Sequence, residues 1–297
     1  MKVLVTGTSG QLGHDVMLEL TKRGIDCLGA DRQGGQNADF KTTTLDITDQ
    51  ENIEKTFAEY HPDAVIHCAA WTNVDAAEAP ENLEAVRKVN VEGTANLAKA
   101  CAKINAKMLY ISTDYVFNGQ GEKPWQPDDK NYAPLNVYGQ SKLDGEKAVT
   151  DNLKDYFIVR IAWVFGKNGK NFVKTMLEVG KNHEEVRVVD DQIGTPTYTP
   201  DLSRLLVDMI LTDKYGFYHA TNEGGYISWA DFTKEIFAQA GINSKVIPVT
   251  TAEYGESIAK RPFNSRLDKS KLTASGFEPL PTWQDALSRY LRELQEA

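Results

Sequence analysis

Short apolar runs alternate with longer amphipathic segments through the first half of the chain. In the segment 11–23, for example, Leu12, Val16 and Leu20 recur at helical spacing and share one face. Strands that alternate with helices of ten or more residues indicate βαβ units and a doubly wound, Rossmann-type α/β fold with a parallel sheet. The predicted strands are 2–6, 26–30, 64–68, 107–112 and 156–161, and the predicted helices are 11–23, 53–60, 82–104 and 138–149.

The pattern becomes less regular after residue 165. Helical spacing resumes in four segments, a last apolar run could form another strand, and prolines at positions 248, 262, 279 and 281 favour loops. We therefore expect one domain over 1–165 and a smaller one over 166–297, with the segment at about 198–222 able to return to the first. The predicted helices are 171–180, 200–211, 228–240 and 283–293, and the predicted strand is 216–220.

Charge and composition exclude several classes of protein. Lysine and arginine total 33 against 42 acidic residues, and the net charge of −9 argues against non-specific nucleic-acid binding. No apolar run approaches the roughly 18 residues of a membrane helix, and the first run is too short for a signal peptide. Three widely spaced cysteines, Cys27, Cys68 and Cys101, suit a reducing compartment. We therefore expect a cytoplasmic protein without nucleic-acid or membrane partners.

A glycine-rich turn follows the first predicted strand. Gly7, Gly10 and Gly13 have GxxGxxG spacing between that strand and the first helix. Glycine allows the tight turn, the close approach of a pyrophosphate and the close packing of helix on strand. The free N–H groups at the helix N-terminus attract phosphates. The turn predicts a dinucleotide-binding site.

Two residues after the second strand bear on the choice of dinucleotide. Asp31 could accept the adenosine ribose hydroxyls and favour NAD, whereas Arg32 could pair with a 2′-phosphate and favour NADP. NADPH and NADH therefore both remain open. Asp46 and Ile47 could flank the adenine, although Asp46 could instead cap a helix.

Tyr138 and Lys142 form a Tyr-x-x-x-Lys pair that opens a predicted helix. The 12 tyrosines and 23 lysines of the chain produce about one such pair by chance, so its position after the strand ending in Thr113 is what matters. Residues i and i+4 share a helix face. A nearby ammonium should lower the pKa of Tyr138, and Thr113 could polarise a carbonyl. This set predicts hydride transfer with Tyr138 as the proton donor.

Together these motifs resemble the extended short-chain dehydrogenases/reductases. More specific segments resemble one family within them, the dTDP-4-dehydrorhamnose reductases, over essentially the whole chain. The segment 112–117 reads Ser-Thr-Asp-Tyr-Val-Phe, and 261–265 reads Arg-Pro-Phe-Asn-Ser. The remaining matches are 134–139, 171–176 and 191–197.

The resemblance implies NAD(P)H-dependent reduction of the C4 keto group of dTDP-4-dehydro-L-rhamnose, the last step of dTDP-L-rhamnose synthesis. It implies Thr113, Tyr138 and Lys142 as the catalytic residues. It places a further group of residues at the cofactor, namely Gly7, Gly10, Gln11, Leu12, Gly13, Ala69, Ala70, Trp71, Asn90 and Ser112. It places a third group near the sugar nucleotide, namely Thr72, Val74, Asp114, Tyr115, Trp163, Asn171, Arg261, Asn264 and Ser265.

Several of these residues also have simpler explanations. Arg261 offers a fork for a diphosphate but could form a surface ion pair, and Trp163 and Tyr115 could be core aromatics. Asn171, Asn264 and Ser265 could be caps. Some family members bind Mg²⁺ at a dimer contact, and Asp15 and Glu185 could lie near those positions, but we expect no essential metal.

Three alternative functions remain at the sequence level. A dehydratase would need a second carboxylate after Asp114, where this chain has Tyr115. A related sugar-nucleotide epimerase, or a non-catalytic regulatory subunit with the same fold, is also open. The sequence leaves the choice between a monomer and a homodimer undecided.

Overall fold

A seven-stranded parallel sheet forms the centre of the molecule. The computed structural model describes residues 1–34, 37–255 and 257–296, so the last residue of the predicted second domain lies outside it. The sheet order is β11-β6-β5-β4-β1-β2-β3, which is the doubly wound order with one added strand. The strands are β1 Lys2–Thr6, β2 Asp26–Asp31, β3 Thr42–Thr44, β4 Ala64–His67, β5 Lys107–Thr113, β6 Tyr156–Ile161, β7 Val164–Phe165, β8 Glu185–Val189, β9 Ile193–Gly194, β10 Thr197–Tyr198, β11 Gly216–His219, β12 Ile227–Ser228 and β13 Lys245–Val249.

Helices cover both faces of this sheet. One face packs against α1 and α7 through residues such as Val16 and Leu206, and the other packs against helices that include α2 and α4 through residues such as Phe57 and Leu97. The helices are α1 Gln11–Lys22, α2 Gln50–Tyr60, α3 Leu83–Arg87, α4 Thr94–Ile104, α5 Val137–Asn152, α6 Phe172–Asn182, α7 Thr199–Ile210, α8 Trp229–Ala240, α9 Thr251–Tyr254, α10 Ser270–Ala274 and α11 Trp283–Gln295.

A separate apolar cluster lies among the elements that follow β6. It joins residues such as Phe165, Phe232 and Tyr290 from β7, α8 and α11, and it also takes in side chains of α6 and β8. The pairs β10–β7, β12–β9 and β13–β8 connect this part of the chain. Helix α7 packs on α1, and β11 pairs with β6. The segment 199–219 therefore contributes the last strand of the central sheet and one of the helices that cover it.

The predicted fold class is confirmed, because the sheet is parallel and helices flank both faces. Two local predictions were wrong, and several strands were missed. The helix expected over 82–104 is interrupted by a π-helical segment, Lys88–Gly93. The strands that were not predicted are β3, β7, β8, β9, β10, β12 and β13, each of which has five residues or fewer. Pro248 lies within β13 rather than in a loop. A two-stranded pair leaves one edge free, where a proline can be accommodated.

Candidate active site

A cleft of about 980 Å³ opens at the carboxyl ends of the central strands. In open α/β sheets ligands bind at this edge, where neighbouring strand connections diverge. The predicted residues that line the cleft are Gly7, Gly10, Gln11, Leu12, Gly13, Asp31, Arg32, Asp46, Ile47, Ala69, Ala70, Trp71, Thr72, Ser112, Thr113, Asp114, Tyr115, Tyr138, Lys142 and Trp163.

The glycine turn forms one end of the cleft, and its close contacts leave no room for side chains. Gly7 has φ 75°, and a Cβ there would lie 2.6 Å from the backbone nitrogen of Ala69. A Cβ on Gly13 would collide with the carbonyl of Gly7. Gly10 begins α1 without a side-chain cap, so the first-turn N–H groups stay available to an anion. This geometry fits a dinucleotide pyrophosphate.

Acidic and basic residues together line the part of the cleft that follows β2 and β3. The Asp31 carboxylate accepts a hydrogen bond of 3.1 Å from the backbone N–H of Ser9. Arg32 lines the cleft beside it. Asp46 does not cap a helix, because it accepts from the Thr48 backbone N–H at 2.9 Å and Asp49 caps α2 instead. Asp31 and Arg32 therefore both line the cleft, as the sequence predicts.

The Tyr-x-x-x-Lys pair and Thr113 meet at the floor of the cleft. Thr113 ends β5 and Tyr138 lies in the first turn of α5, which Asn136 caps by accepting the Gly139 N–H at 2.8 Å. The Thr113 hydroxyl donates to Asp114 at 2.9 Å and lies close enough to the Tyr138 phenol to lower its pKa. The capped start of α5 and the end of β5 thus bring Tyr138 and Thr113 to the same part of the cleft.

Burial sets the protonation of Tyr138 and Lys142. It raises the pKa of Tyr138, and the nearby Asp114 carboxylate raises it further, whereas the Thr113 hydrogen bond lowers it. Burial lowers the pKa of Lys142 to about 7. The expectation that Lys142 lowers the pKa of Tyr138 is wrong for this structure. The Lys142 ammonium lies 4.0 Å from the centre of the Tyr110 ring instead.

A buried ion pair lies behind these residues, and the sequence analysis missed it. Glu146 follows Lys142 by one helical turn, and its carboxylate accepts from the Ser112 hydroxyl at 2.6 Å. Arg160 of β6 donates to both oxygens of the same carboxylate at 2.8 Å. Arg160 is 0% exposed and Glu146 is 2% exposed. The pair joins the helix of Tyr138 to β6, and the Ser112 hydrogen bond joins the same helix to the strand end that carries Thr113.

Asn90 supports the cleft from outside it. Its amide accepts from the Trp71 backbone N–H at 2.7 Å and donates to the Ser141 hydroxyl at 2.8 Å. The π-helical segment 88–93 turns this side chain toward both partners. Asn90 therefore positions the chain at Trp71 and the helix α5 rather than lining the cleft.

Two comparisons with solved structures agree with this geometry. A dTDP-4-dehydrorhamnose reductase from Clostridium acetobutylicum is 41% identical, with a TM-score of 0.91 over 99% of this chain and 100% of the other. The enzyme of that name from Bacillus anthracis, solved in complex with NADP, is 40% identical, with a TM-score of 0.90 over 98% and 99%.

The sequence comparisons decide the family. The model for the RmlD substrate binding domain matches residues 1–296. The dTDP-4-dehydrorhamnose reductase of Streptomyces griseus is 40% identical over 293 residues, which are 96% of this chain and 91% of the relative. The chain belongs to the dTDP-4-dehydrorhamnose reductase family. The resemblance carried by segments such as 112–117 is thereby confirmed.

The family's predicted substrate residues do not all line the cleft. Asn171 caps α6 and donates to the Gln11 side chain at 3.0 Å. Asn264 is buried and donates to the carbonyls of Gln120 and Lys123. Val74 also lies outside the set of lining residues.

Arg261 and Ser265 contact residues at the back of the cleft. Arg261 pairs with Asp75 at 2.7 Å, and both charges lie close enough to Tyr115 to shift the pKa of its phenol. Burial raises the pKa of the Asp114 carboxyl to about 6, although the nearby Ser265 hydroxyl acts to lower it. The segment 261–265 therefore supports the cleft-lining residues Tyr115 and Asp114 from behind.

Three of the residues that line the cleft were not among the predicted site residues and are aromatic or basic. They are Lys170, Phe172 and Trp229, and all three come from the less regular second half. Phe172 and Trp229 each open a helix, α6 and α8. Their helical spacing alone is typical of core aromatics, so only the fold identifies them as cleft residues.

The described residues do not form a cluster of metal ligands. Among residues 1–34, 37–255 and 257–296, no group of three or more histidine, cysteine, aspartate or glutamate side chains could hold a metal ion. Asp15 is buried on α1, whereas Glu185 is exposed on β8 and pairs with Lys245 at 3.2 Å. No helix within the described part of the chain is long and apolar enough to cross a membrane.

Proposed function

We propose that this chain reduces the C4 keto group of dTDP-4-dehydro-L-rhamnose to dTDP-L-rhamnose with NADPH or NADH. One observation carries the proposal: Tyr138, Thr113 and Lys142 line the same cleft as the glycine turn. Membership of the dTDP-4-dehydrorhamnose reductase family supports the choice of substrate and the place of the reaction as the last step of dTDP-L-rhamnose synthesis.

The protonation of Tyr138 suits the direction of reduction. Reduction of a carbonyl needs a proton at the oxygen, so the donor must carry its proton at neutral pH. Burial raises the pKa of Tyr138, which keeps the phenol protonated in that range. In the proposed reaction Thr113 orients the carbonyl oxygen and Tyr138 protonates it.

The nicotinamide cofactor supplies the hydride when it is bound. The glycine turn, Gln11 and Leu12 would hold its pyrophosphate, and Asp31 and Arg32 would hold the adenosine ribose. Lys142 is 3% exposed at the cleft floor and would bind the nicotinamide ribose. Asp46 and Ile47 would flank the adenine, while Ala69, Ala70 and Trp71 would line the middle of the site.

The sugar nucleotide would occupy the other side of the cleft. Thr72, Asp114, Tyr115 and Trp163 line it and would contact the substrate directly. Arg261 would need to leave Asp75 to reach the diphosphate. We assign the cofactor to a domain over 1–165 together with about 198–222, and the sugar nucleotide to the remainder of 166–297. We further propose that the protein acts in the cytoplasm as a monomer or homodimer.

The reverse reaction tests this proposal. Purified protein is mixed with dTDP-L-rhamnose and NADP⁺ or NAD⁺, and the absorbance of the reduced nicotinamide is followed. We expect absorbance that rises only when the sugar nucleotide is present. Folded protein that binds nucleotide but shows no absorbance change with either cofactor would favour the regulatory-subunit alternative. Conversion of the sugar without net change of the nicotinamide would favour an epimerase.

A further inference from the structure

Trp163 has a backbone conformation that a bulky residue rarely adopts. Its φ is 51°, in the left-handed region, at the point where the chain leaves β6 and enters β7. Such a conformation is strained and persists only when neighbouring contacts determine it. The neighbours supply two such contacts, because Thr197 donates its N–H to the Trp163 carbonyl and its hydroxyl to the Ala162 carbonyl.

The indole of Trp163 is held as firmly as its backbone. Its ring lies parallel to that of Trp229, with 3.6 Å between centroids and 14° between planes. Phe172 packs on Trp229 at 4.4 Å. A Cβ on Gly194 would lie 2.8 Å from the Trp163 Cε2 atom. The indole edge therefore occupies the space that any side chain at this buried glycine would fill.

Trp163, Phe172 and Trp229 differ from the core aromatics beside them. All three are only partly buried and line the cleft, whereas Phe232 and Phe165, which share an apolar cluster with Phe172 and Trp229, are almost fully buried. A partly exposed aromatic face in a cleft offers an apolar surface to a ligand ring. The apolar face of a 6-deoxysugar, which lacks the C6 hydroxyl, matches such a surface.

We propose that Trp229 and Gly194 are positioning residues that hold the Trp163 indole as the apolar wall of the deoxysugar subsite. The proposal rests on the proposed function and extends it by naming residues that set sugar specificity. Trp229 acts by stacking on one ring, and Gly194 acts by leaving space at the ring edge. Neither residue needs to take part in proton or hydride transfer.

Two substitutions disturb the indole from different sides. W229L removes the stacking partner, and G194A adds one methyl group where the indole edge lies. Gly194 does not have a positive φ, so alanine introduces no backbone strain there. We expect each variant to raise the KM for the sugar nucleotide about tenfold, since an aromatic pair contributes up to about that factor. The KM for NADPH should stay within about twofold.

A double variant and a control sharpen the test. If both residues act through Trp163, the W229L/G194A double variant should raise KM by less than the product of the two single effects. Y226L removes an exposed aromatic three residues before Trp229 that does not line the cleft, and it should leave both KM values unchanged. Binding of dTDP-L-rhamnose, followed by tryptophan fluorescence, should weaken in parallel in the two single variants.

Two outcomes would overturn the proposal. One is a W163L variant with a raised sugar-nucleotide KM beside W229L and G194A variants within twofold of wild type. The other is an equal rise of both KM values, which would assign the aromatic cluster to the cofactor or to general stability. A wild-type protein that binds dTDP-L-rhamnose but does not oxidise it would contradict the proposed function alone. The fluorescence titration would then still test the role of Trp229 and Gly194, because it compares binding to the variants without requiring turnover.

Discussion

The chemistry proposed for this chain depends on a few side chains at the floor of the cleft. Tyr138 and Thr113 could be identified from the sequence, because a strand end, a helix start and the Tyr-x-x-x-Lys spacing are local signals. The charge states of Tyr138 and Lys142 could not be predicted from the sequence, since they depend on burial. Lys142 lies under the Tyr110 ring rather than acting on Tyr138, and its pKa falls to about 7.

Removal of the phenol hydroxyl tests its role as proton donor. Y138F should bind NADPH as the wild type does and lose at least ~100-fold in turnover, the lower end of general-acid contributions. Stopped-flow turnover together with a fluorescence titration of NADPH measures both. Near-normal turnover in Y138F would remove this residue from the mechanism.

The protonation of Lys142 predicts a pH limit. Because its pKa is about 7, kcat/KM for NADPH should fall as the pH rises through that value and the ammonium loses its proton. K142R keeps its charge over this range, so its profile should be lower but should lack the fall near pH 7. If kcat/KM of K142R also falls near pH 7, the fall belongs to another titratable group.

Arg32 tests the choice of cofactor. Since Asp31 and Arg32 both line the cleft, we expect the protein to accept NADH and NADPH. R32A should raise the KM for NADPH about tenfold and change the KM for NADH by less than twofold, because only NADPH carries the 2′-phosphate. Steady-state kinetics with each cofactor measures this. Equal effects on the two cofactors would show that Arg32 does not meet that phosphate.

At the scale of elements, the connection between α5 and the central strands determines the site. The sequence predicted both elements but not the Glu146–Arg160 pair that joins them, because each partner alone looks like an ordinary charged residue of a helix or a strand. It also missed the π-helical segment 88–93, whose alanine- and leucine-rich flanks are typical of an uninterrupted helix. Such features depend on tertiary contacts.

The buried pair predicts a large effect on stability. E146Q leaves the Arg160 guanidinium without its counter-charge in a buried site, which typically costs about 3–5 kcal/mol. Urea unfolding followed by circular dichroism should show a clearly lower midpoint. The exposed pair of Glu54 with Lys103 provides the control, and E54Q should leave the midpoint almost unchanged. Equal midpoints for E146Q and wild type would contradict this role.

At the scale of the whole molecule, the cleft is completed by contacts from the second half of the chain. Asn171 bonds Gln11 of the glycine turn, and Arg261 pairs with Asp75. The parallel sheet was predictable from alternating strands and helices. These later contacts were not, because short strands and loops carry weak periodic signals, and only family resemblance pointed to residues such as Trp163 and Arg261.

The fate of the hydride tests the central claim most directly. Wild-type protein is given dTDP-4-dehydro-L-rhamnose and NADPH deuterated at the transferred position, and the sugar product is examined by NMR. We predict dTDP-L-rhamnose with deuterium at C4 and one oxidised nicotinamide for each sugar reduced. A sugar product without deuterium, or deuterium at another carbon, would contradict the account.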